Sequence, residues 1–181
     1  MSELHPEILD DRQLECLPAL AKWASAEGFY LGGGTVVALY FGHRRSVDFG
    51  WFTPHKIDDP LLLAERAREN GLDLRDVQVA RGTLHARAND VRVSFLEYPY
   101  PQLTGPTMWP EHGIELASLD DLACMKLAGI RQRGSRKDFI DLYTIALRHR
   151  PLRDSMDLYR RKYSTDETSH LLIGLTYFDD A

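Results

Sequence analysis

A glycine-rich turn followed by an acidic residue is the feature of this sequence best suited to binding a phosphate. Gly32-Gly33-Gly34-Thr35 follows an apolar run, which predicts a strand-to-helix turn. Glycines let the backbone approach a phosphate, whose charge the N–H groups at the helix N-terminus stabilise. Thr35 could cap that helix or bind a phosphate oxygen, and Asp48 could hold the accompanying Mg²⁺. The alternative is a tight turn that only requires positive φ angles.

The spacing of the other reactive residues does not support competing chemistries. The seven histidines show no H-x-x-x-H or H-x-x-E-H spacing, which argues against a zinc hydrolase. No serine lies in a G-x-S-x-G motif, so no acyl-transfer triad is indicated. Cys16 and Cys124 lie far apart among apolar residues, which predicts two buried, unreactive thiols and a reducing compartment.

The overall composition is that of a soluble globular protein. The 181 residues are 44% hydrophobic and carry a net charge of −5. No apolar stretch approaches the roughly 18 residues that a membrane span requires. The N-terminal residues include early acids and lack the apolar region of a secretory signal. We therefore expect a cytoplasmic protein without a membrane partner.

The charge is unevenly distributed along the chain. Between Lys126 and Lys162 there are eleven Lys and Arg residues but only four Asp. A basic region on an otherwise acidic protein could bind a polyanion such as a triphosphate or RNA. Solvated helix faces explain the same charges equally well.

The elements that position these residues are predicted from periodicity and from Gly and Pro positions. We predict a helix over residues 6–27 that ends at Gly28, and a second helix over 61–70 that begins after Asp59-Pro60 and ends at Gly71. The predicted strands cover 29–31, 46–52, 74–80, 83–88 and 91–98, the last three forming an antiparallel meander.

The second half of the chain is predicted to be helical. Residues 99–113 contain four prolines and are expected to form an irregular loop or linker. Ser118 begins a helical stretch that reaches residue 149 with a break at Gly134-Ser135, and further helices follow Pro151 and cover 169–177. The pattern predicts an α+β fold, with a small mixed sheet and flanking helices over 1–113 and a helical region over 114–181.

Three longer motifs resemble a known protein family. The runs LGGGTVVALYFGHRRSVDFGWFTP, VRVSFLEYPYP and SLDDLACMKLAGIRQRGSRKDFIDLY occur in the order seen in the AbiEii/AbiGii-type toxins, which are minimal nucleotidyltransferases of the polymerase-β-like superfamily. The resemblance extends from about Tyr30 to the C-terminal LTYFDD. It implies a nucleotidyltransferase core followed by a helical domain, and transfer of a nucleotide from an NTP with Mg²⁺ to an acceptor that is tRNA in some relatives. Members often act as toxins beside a cognate antitoxin or in phage defence.

The resemblance assigns expected roles to individual residues. Gly33, Gly34 and Thr35 match the family's nucleotide-binding turn, and Asp48 matches the first carboxylate of its metal-binding D-x-D motif. Lys126 matches a lysine expected to meet phosphate. The remaining matches are Asp138 and Asp141 of the K-D-x-x-D motif, expected to act in catalysis or in fixing the two halves, and Arg44, Arg45 and Ser46, expected near the phosphates.

Two positions depart from the family pattern. Gly50 stands where the second carboxylate of D-x-D is expected, and Ser94 where a third is found in some members. Two-metal transfer needs carboxylates for an ion on the triphosphate and for another that activates the attacking hydroxyl. Glu97 would point away from Ser94 on an unbulged strand. We therefore expect a degenerate site that is slow, or a pseudoenzyme that binds nucleotide, RNA or a partner protein without catalysis.

Overall fold

The computed structural model describes residues 4–177, so the first three residues of the predicted core and the last four of the predicted helical region lie outside the described range. The chain forms two compact units. The first consists of Met1–Pro99 and Thr107–Leu116, and the second of Tyr100–Pro106 and Ala117–Ala181. Among residues 4–177, no helix combines the length and the apolar character needed to cross a membrane.

The first unit contains a mixed seven-stranded sheet with the order β3-β4-β5-β2-β1-β7-β6. Its strands are β1 (Tyr30–Gly32), β2 (Asp48–Thr53), β3 (Leu74–Ala80), β4 (Thr83–Ala88), β5 (Val91–Glu97), β6 (Thr107–Trp109) and β7 (Ile114–Leu116). Strands β2 and β5 pair in parallel, as do β1 and β7, and the other pairs are antiparallel. The helices are a 3₁₀ turn (Pro6–Ile8), α1 (Asp11–Ala26), α2 (Gly33–Phe41) and α3 (Pro60–Glu69). The predicted α+β fold with a small mixed sheet is confirmed.

The two faces of the central strands differ sharply in character. Alternate residues of β2 and β5, among them Phe49, Trp51 and Phe95, are buried on one face. Helix α1 packs on this face, where the Trp23 ring lies 5.1 Å from the ring of Phe95. The residues between them point to the opposite face, because side chains alternate along a strand. That second face carries Asp48 and the polar residues described below.

Three parts of the first unit differ from the sequence prediction. One is Ile114–Leu116, which forms β7 although residues 114–181 were predicted to be helical. The helix predicted over 6–27 is interrupted at Leu9 and Asp10, because Asp10 caps α1 and exchanges hydrogen bonds with Gln13 in a capping box. The proline-rich stretch over 99–113 was expected to be irregular, yet Thr107–Trp109 forms β6. These three residues lie between two of the prolines, so their N–H groups remain available to pair with β7.

The second unit is helical, as predicted. It contains α4 (Leu119–Arg133), α5 (Arg136–Arg148), α6 (Leu152–Tyr163) and α7 (Ser169–Thr176). Ser118 caps α4 by accepting from the backbone N–H of Asp121, and Gly134 ends it with φ of +58°. A left-handed residue at this position favours glycine and explains the predicted break. The core of the unit is formed by Leu127, Ile130 and Tyr159 with their neighbours.

Candidate nucleotide site on the polar face of the sheet

The glycine turn leads directly from strand to helix. Strand β1 ends at Gly32 and α2 begins at Gly33, whose φ of +71° favours glycine. No side chain caps the N-terminus of α2, and Gly33 and Gly34 are half-buried. The backbone N–H groups of the first turn therefore lack a side-chain cap of the helix's own.

Thr35 and Ser46 tie this turn to the start of β2. Thr35 is 1% exposed, and its hydroxyl donates a short hydrogen bond to the backbone oxygen of Asp48 and pairs with Ser46 Oγ at 2.7 Å. Ser46 Oγ also lies 3.5 Å from Asp48 Oδ1. These contacts place Asp48 beside the first turn of α2. The two hydroxyls hold the strand and helix together, which leaves them buried rather than turned outward.

Asp48 lies in an open cleft on the polar face of the sheet. The cleft has a volume of about 570 Å³, and its polar lining side chains are Asp48, Asp76, Gln78, His85, Arg87, Arg92 and Ser94. Register explains the grouping, because Asp48 pairs with Arg92 across β2 and β5. The Arg92 side chain is exposed and forms no ion pair or hydrogen bond within residues 4–177. A half-buried carboxylate thus stands beside an unpaired guanidinium.

The position of the missing second carboxylate is covered by an aromatic ring. A Cβ atom built on Gly50 would lie 3.1 Å from Cε2 of Phe52, closer than most real Cβ contacts. The same ring lies 3.9 Å from a Cβ built on Gly33. Phe52 is held by Tyr30 and Tyr98, with ring centroids 6.0 and 5.6 Å away. The space next to Asp48 is therefore shaped for a glycine.

The third expected position carries a serine that is paired with a histidine. Ser94 lies beside Gly50 across β2 and β5, and beside His85 across β4 and β5. His85 Nδ1 and Ser94 Oγ are 2.8 Å apart. Glu97 does not replace the missing acid, because its carboxylate accepts from the backbone N–H of Ile57. The row that would hold metal-binding acids consists of glycine, serine and histidine.

Arg44 and Arg45 lie in the loop that precedes β2. The Arg44 guanidinium donates to the backbone oxygen of Arg45 at 2.9 Å, and Arg44 is half-buried whereas Arg45 is exposed. The expectation that both cations meet phosphate stays a prediction.

Without a bound substrate, the metal-binding side chains of the cleft fit one metal ion poorly and cannot hold two. Within residues 4–177, no group of three or more His, Cys, Asp or Glu side chains converges as a metal site. Asp48 is the carboxylate beside the turn, and Mg²⁺ can be held by one carboxylate when substrate phosphates and water complete its shell. The residues present therefore fit a single ion that arrives with a nucleotide.

Lys126, Asp138 and Asp141 lie in the second unit and form a buried ionic cluster. Lys126 Nζ contacts Asp138 Oδ1 at 3.0 Å and Asp141 Oδ2 at 2.7 Å, and both carboxylates are fully buried. Asp138 also accepts from the Arg133 guanidinium and from Ser135 Oγ at 2.6 Å. The cluster joins α4 to α5. The Lys126 ammonium is thus already neutralised by two acids of its own unit.

A second buried pair stabilises the same unit. Lys162 Nζ contacts Asp121 Oδ1 at 2.6 Å and donates to the backbone oxygen of Pro101. The Asp121 carboxylate also accepts from the backbone N–H of Leu103 and from Ser118 Oγ. Two of the eleven basic residues between Lys126 and Lys162, the terminal lysines, are therefore buried.

Comparison with known proteins identifies the family of the chain. The uncharacterized protein aq_aa25 of Aquifex aeolicus (strain VF5) is 35% identical over 175 residues, which cover 96% of this chain and 84% of that protein. The chain belongs to the aq_aa25 family. No model of a known protein family matches the sequence.

Two solved structures share the fold of this aq_aa25 relative. A candidate nucleotidyltransferase from H. pylori has a TM-score of 0.53 and 19% identity, over 89% of this chain and 85% of that chain. JHP933 from Helicobacter pylori has a TM-score of 0.55 and 18% identity, over 88% and 82%. At these identities the likeness concerns the fold alone. The chain has a nucleotidyltransferase fold, and membership of the AbiEii/AbiGii family stays a prediction.

The two cysteines of this aq_aa25 relative are buried, as expected. They are not paired with each other. Burial raises the pKa of Cys16 to about 11 and that of Cys124 to about 12. Because the thiolate is the nucleophile, a raised pKa makes each thiol a weak nucleophile at neutral pH.

Arg92 and His85 are two of the lining residues that the sequence analysis missed. Both lie on strands that were predicted in place, and the alternation of VRVSF puts Arg92 and Ser94 on one face. The parallel pairing of β5 with β2 was not predicted, so nothing aligned Arg92 with Asp48. The polar residues on the exposed face of the predicted meander were the sequence signal that could have identified them.

The aspartates of the second unit give a pH-dependent stability. Burial alone would raise the pKa of Asp138, but Lys126, Ser135 and Arg133 outweigh it and hold that pKa below 3.8. Burial also raises the pKa of Asp120, but Arg150 and His149 outweigh this effect, so the pKa of Asp120 is lowered as well. A lowered folded-state pKa stabilises the fold above the unfolded value of 3.8, and this stabilisation is lost as the pH falls through the folded value.

We therefore expect the urea midpoint of the helical unit to fall on acidification from pH 5 to pH 3. Circular dichroism measures this transition. The Asp138→Asn variant should be less stable at pH 7 and should lose less on acidification. A midpoint that is constant or rises toward pH 3 would contradict the assignment.

Proposed function

We propose that this chain binds an NTP with Mg²⁺ in the cleft at Asp48 and transfers its nucleotide, slowly, to an acceptor hydroxyl. The observation that carries the proposal is the contact between Thr35 and the backbone of Asp48. It fixes a carboxylate at the uncapped N-terminus of α2, on the open face of a nucleotidyltransferase fold. Anion-binding N–H groups and a cation-binding acid are the two things that a metal-bound triphosphate needs.

Each residue near the cleft has a distinct part in this proposal. The first-turn N–H groups at Gly33 and Gly34 bind phosphate oxygens, and Asp48 holds the Mg²⁺ that comes with the nucleotide. The ion supplies charge neutralisation on the triphosphate. Arg92, which has no ion-pair partner within residues 4–177, meets remaining phosphate charge. Thr35 and Ser46 act as positioning residues.

The proposed acceptor is the end of an RNA such as tRNA. Seven of the basic residues between Lys126 and Lys162 are exposed, namely Arg131, Arg133, Arg136, Lys137, Arg148, Arg153 and Arg161. Exposed cations on one helical unit favour a polyanionic partner. By resemblance to the AbiEii/AbiGii toxins, we further propose a toxin or phage-defence role with a cognate antitoxin.

The test is transfer of label from each of four α-labelled NTPs to total tRNA, with and without Mg²⁺. We expect a slow, Mg²⁺-dependent product, and calorimetry should show NTP binding that requires the metal. NTP binding that is indifferent to Mg²⁺, together with no labelled RNA, would reject the proposed activity.

A second candidate function is a pseudoenzyme that binds nucleotide or RNA without transfer. The specific observation in its favour is the Phe52 ring over Gly50, which leaves the second carboxylate position without space. With Ser94 at the third position, the ion that activates the attacking hydroxyl has no acidic ligand from the row.

Restoring the acid separates the two candidates. Gly50→Asp and Gly50→Ala both add a Cβ against Phe52, so each should lower the free energy of unfolding by about 1–3 kcal/mol. Only Gly50→Asp adds a carboxylate two residues from Asp48. Transfer by Gly50→Asp but not by wild type or Gly50→Ala supports the pseudoenzyme, whereas wild-type turnover that Gly50→Asp does not increase rules it out.

A further inference from the structure

His85 and Ser94 form a hydrogen-bonded pair on the wall of the cleft that holds Asp48. His85 Nδ1 lies 2.8 Å from Ser94 Oγ, and His85 is exposed. Ser94 adjoins Gly50 on one side and His85 on the other, so three strands place these residues in one row. All three point to the same face, since directly paired residues share a face of the sheet.

The distance between His85 and Asp48 suits two groups that act on opposite sides of one reacting phosphorus atom. Adjacent strands lie about 4.8 Å apart, so the His85 and Gly50 backbones are separated by about 10 Å, and Asp48 lies about 7 Å further along β2. His85 and Asp48 both line the cleft of about 570 Å³. A phosphate held at Asp48 and an acceptor hydroxyl held near His85 fit together in this space.

We propose that His85 is the base that takes the proton of the acceptor hydroxyl, and that Ser94 is the positioning residue for its ring. This inference rests on the proposed nucleotidyl transfer. With Nδ1–H donating to Ser94 Oγ, Nε2 is the acceptor atom. A histidine base replaces the second, hydroxyl-activating ion, whose acidic ligands the sequence lacks at positions 50 and 94.

The step balances without an additional reactant. The acceptor O–H bond breaks and its proton goes to His85 Nε2. The oxygen forms a bond to the α-phosphorus, while the bond from that phosphorus to the bridging oxygen of the β-phosphate breaks. Pyrophosphate leaves with the electron pair, and the proton on His85 passes to solvent after product release.

The experiment compares transfer from an α-labelled NTP to tRNA by four proteins with intact chains. His85→Ala should reduce the maximal rate about 100-fold or more, with NTP binding in calorimetry unchanged, and added imidazole should restore part of the rate. Ser94→Ala should give a smaller loss. His55→Ala, which removes an exposed imidazole outside this cleft, should behave as wild type.

The outcomes separate this role from the proposed function. A His85→Ala rate within threefold of wild type overturns the role of His85 alone. A loss that imidazole does not rescue and that follows weaker NTP binding also overturns it, because His85 would then act in binding. Absence of transfer by the wild type with every acceptor overturns the proposed activity and this role with it.

Discussion

Replacement of Asp48 by asparagine is expected to reduce Mg²⁺-dependent transfer by at least about 1,000-fold. Metal-assisted charge neutralisation contributes several kcal/mol, and each 1.4 kcal/mol is about a factor of ten in rate. Asparagine keeps the size of the side chain but removes its charge, so the loss reports on the cation rather than on packing. The Thr35 contact should persist, because it is made to the backbone oxygen of residue 48.

Asp76 supplies the matched control for this variant. It lines the same cleft, but its carboxylate is 72% exposed and lies 3.5 Å from the Arg87 guanidinium. Asp76→Asn removes an equal charge from the cleft, and asparagine tolerates the positive φ of this position. It should leave the rate within a few fold of wild type. Equal losses of transfer rate in the two variants would show that the effect comes from the overall negative charge of the cleft and not from a metal ligand.

Replacement of Lys126 by methionine is expected to lower the free energy of unfolding of the helical unit by about 3–5 kcal/mol. The variant keeps the length of the side chain but leaves the fully buried carboxylates of Asp138 and Asp141 without their shared ammonium. The buried carboxylate charge that Lys126 no longer compensates is the source of the expected loss. Urea denaturation followed by far-UV circular dichroism measures it, since most helical residues lie in this unit.

The control for Lys126→Met is an exposed ion pair. Lys56 contacts Asp58, and both side chains are more than two-thirds exposed, so Lys56→Met should leave the stability almost unchanged. All three tryptophans, Trp23, Trp51 and Trp109, lie in the first unit. Their fluorescence therefore reports separately on that unit. Unchanged helical stability in Lys126→Met would contradict a structural role and favour the phosphate role predicted from the family resemblance.

Much of the fold follows from local signals in the sequence. Strands β3 and β4 and helix α3 have the predicted bounds to within a residue, because Gly71, Gly82 and the Asn89-Asp90 turn mark their ends. The order of strands does not follow from such signals. The parallel pairing of β2 with β5 joins residues more than forty positions apart and depends on burial of both central strands.

The residues of the candidate site could be predicted from the sequence, but the contacts between them could not. The glycine turn, Asp48 and the two departures at Gly50 and Ser94 are visible in the sequence. The Phe52 ring over Gly50 is not, since Phe52 lies two residues further on the polar face, where a charged or small side chain would be the ordinary choice. The neutralisation of Lys126 also depends on how α4 and α5 pack.

The path of residues 100–106 has a practical consequence for anyone who wishes to express the two units apart. The backbone groups of Pro101 and Leu103 complete the buried Asp121–Lys162 pair, yet the chain returns to the sheet at Thr107 before it enters α4. A fragment that starts at Ala117 would carry a buried salt bridge with two of its partners cut away. Separation of the units thus calls for a rearranged gene, in which the short segment is spliced onto the helices, rather than a simple truncation.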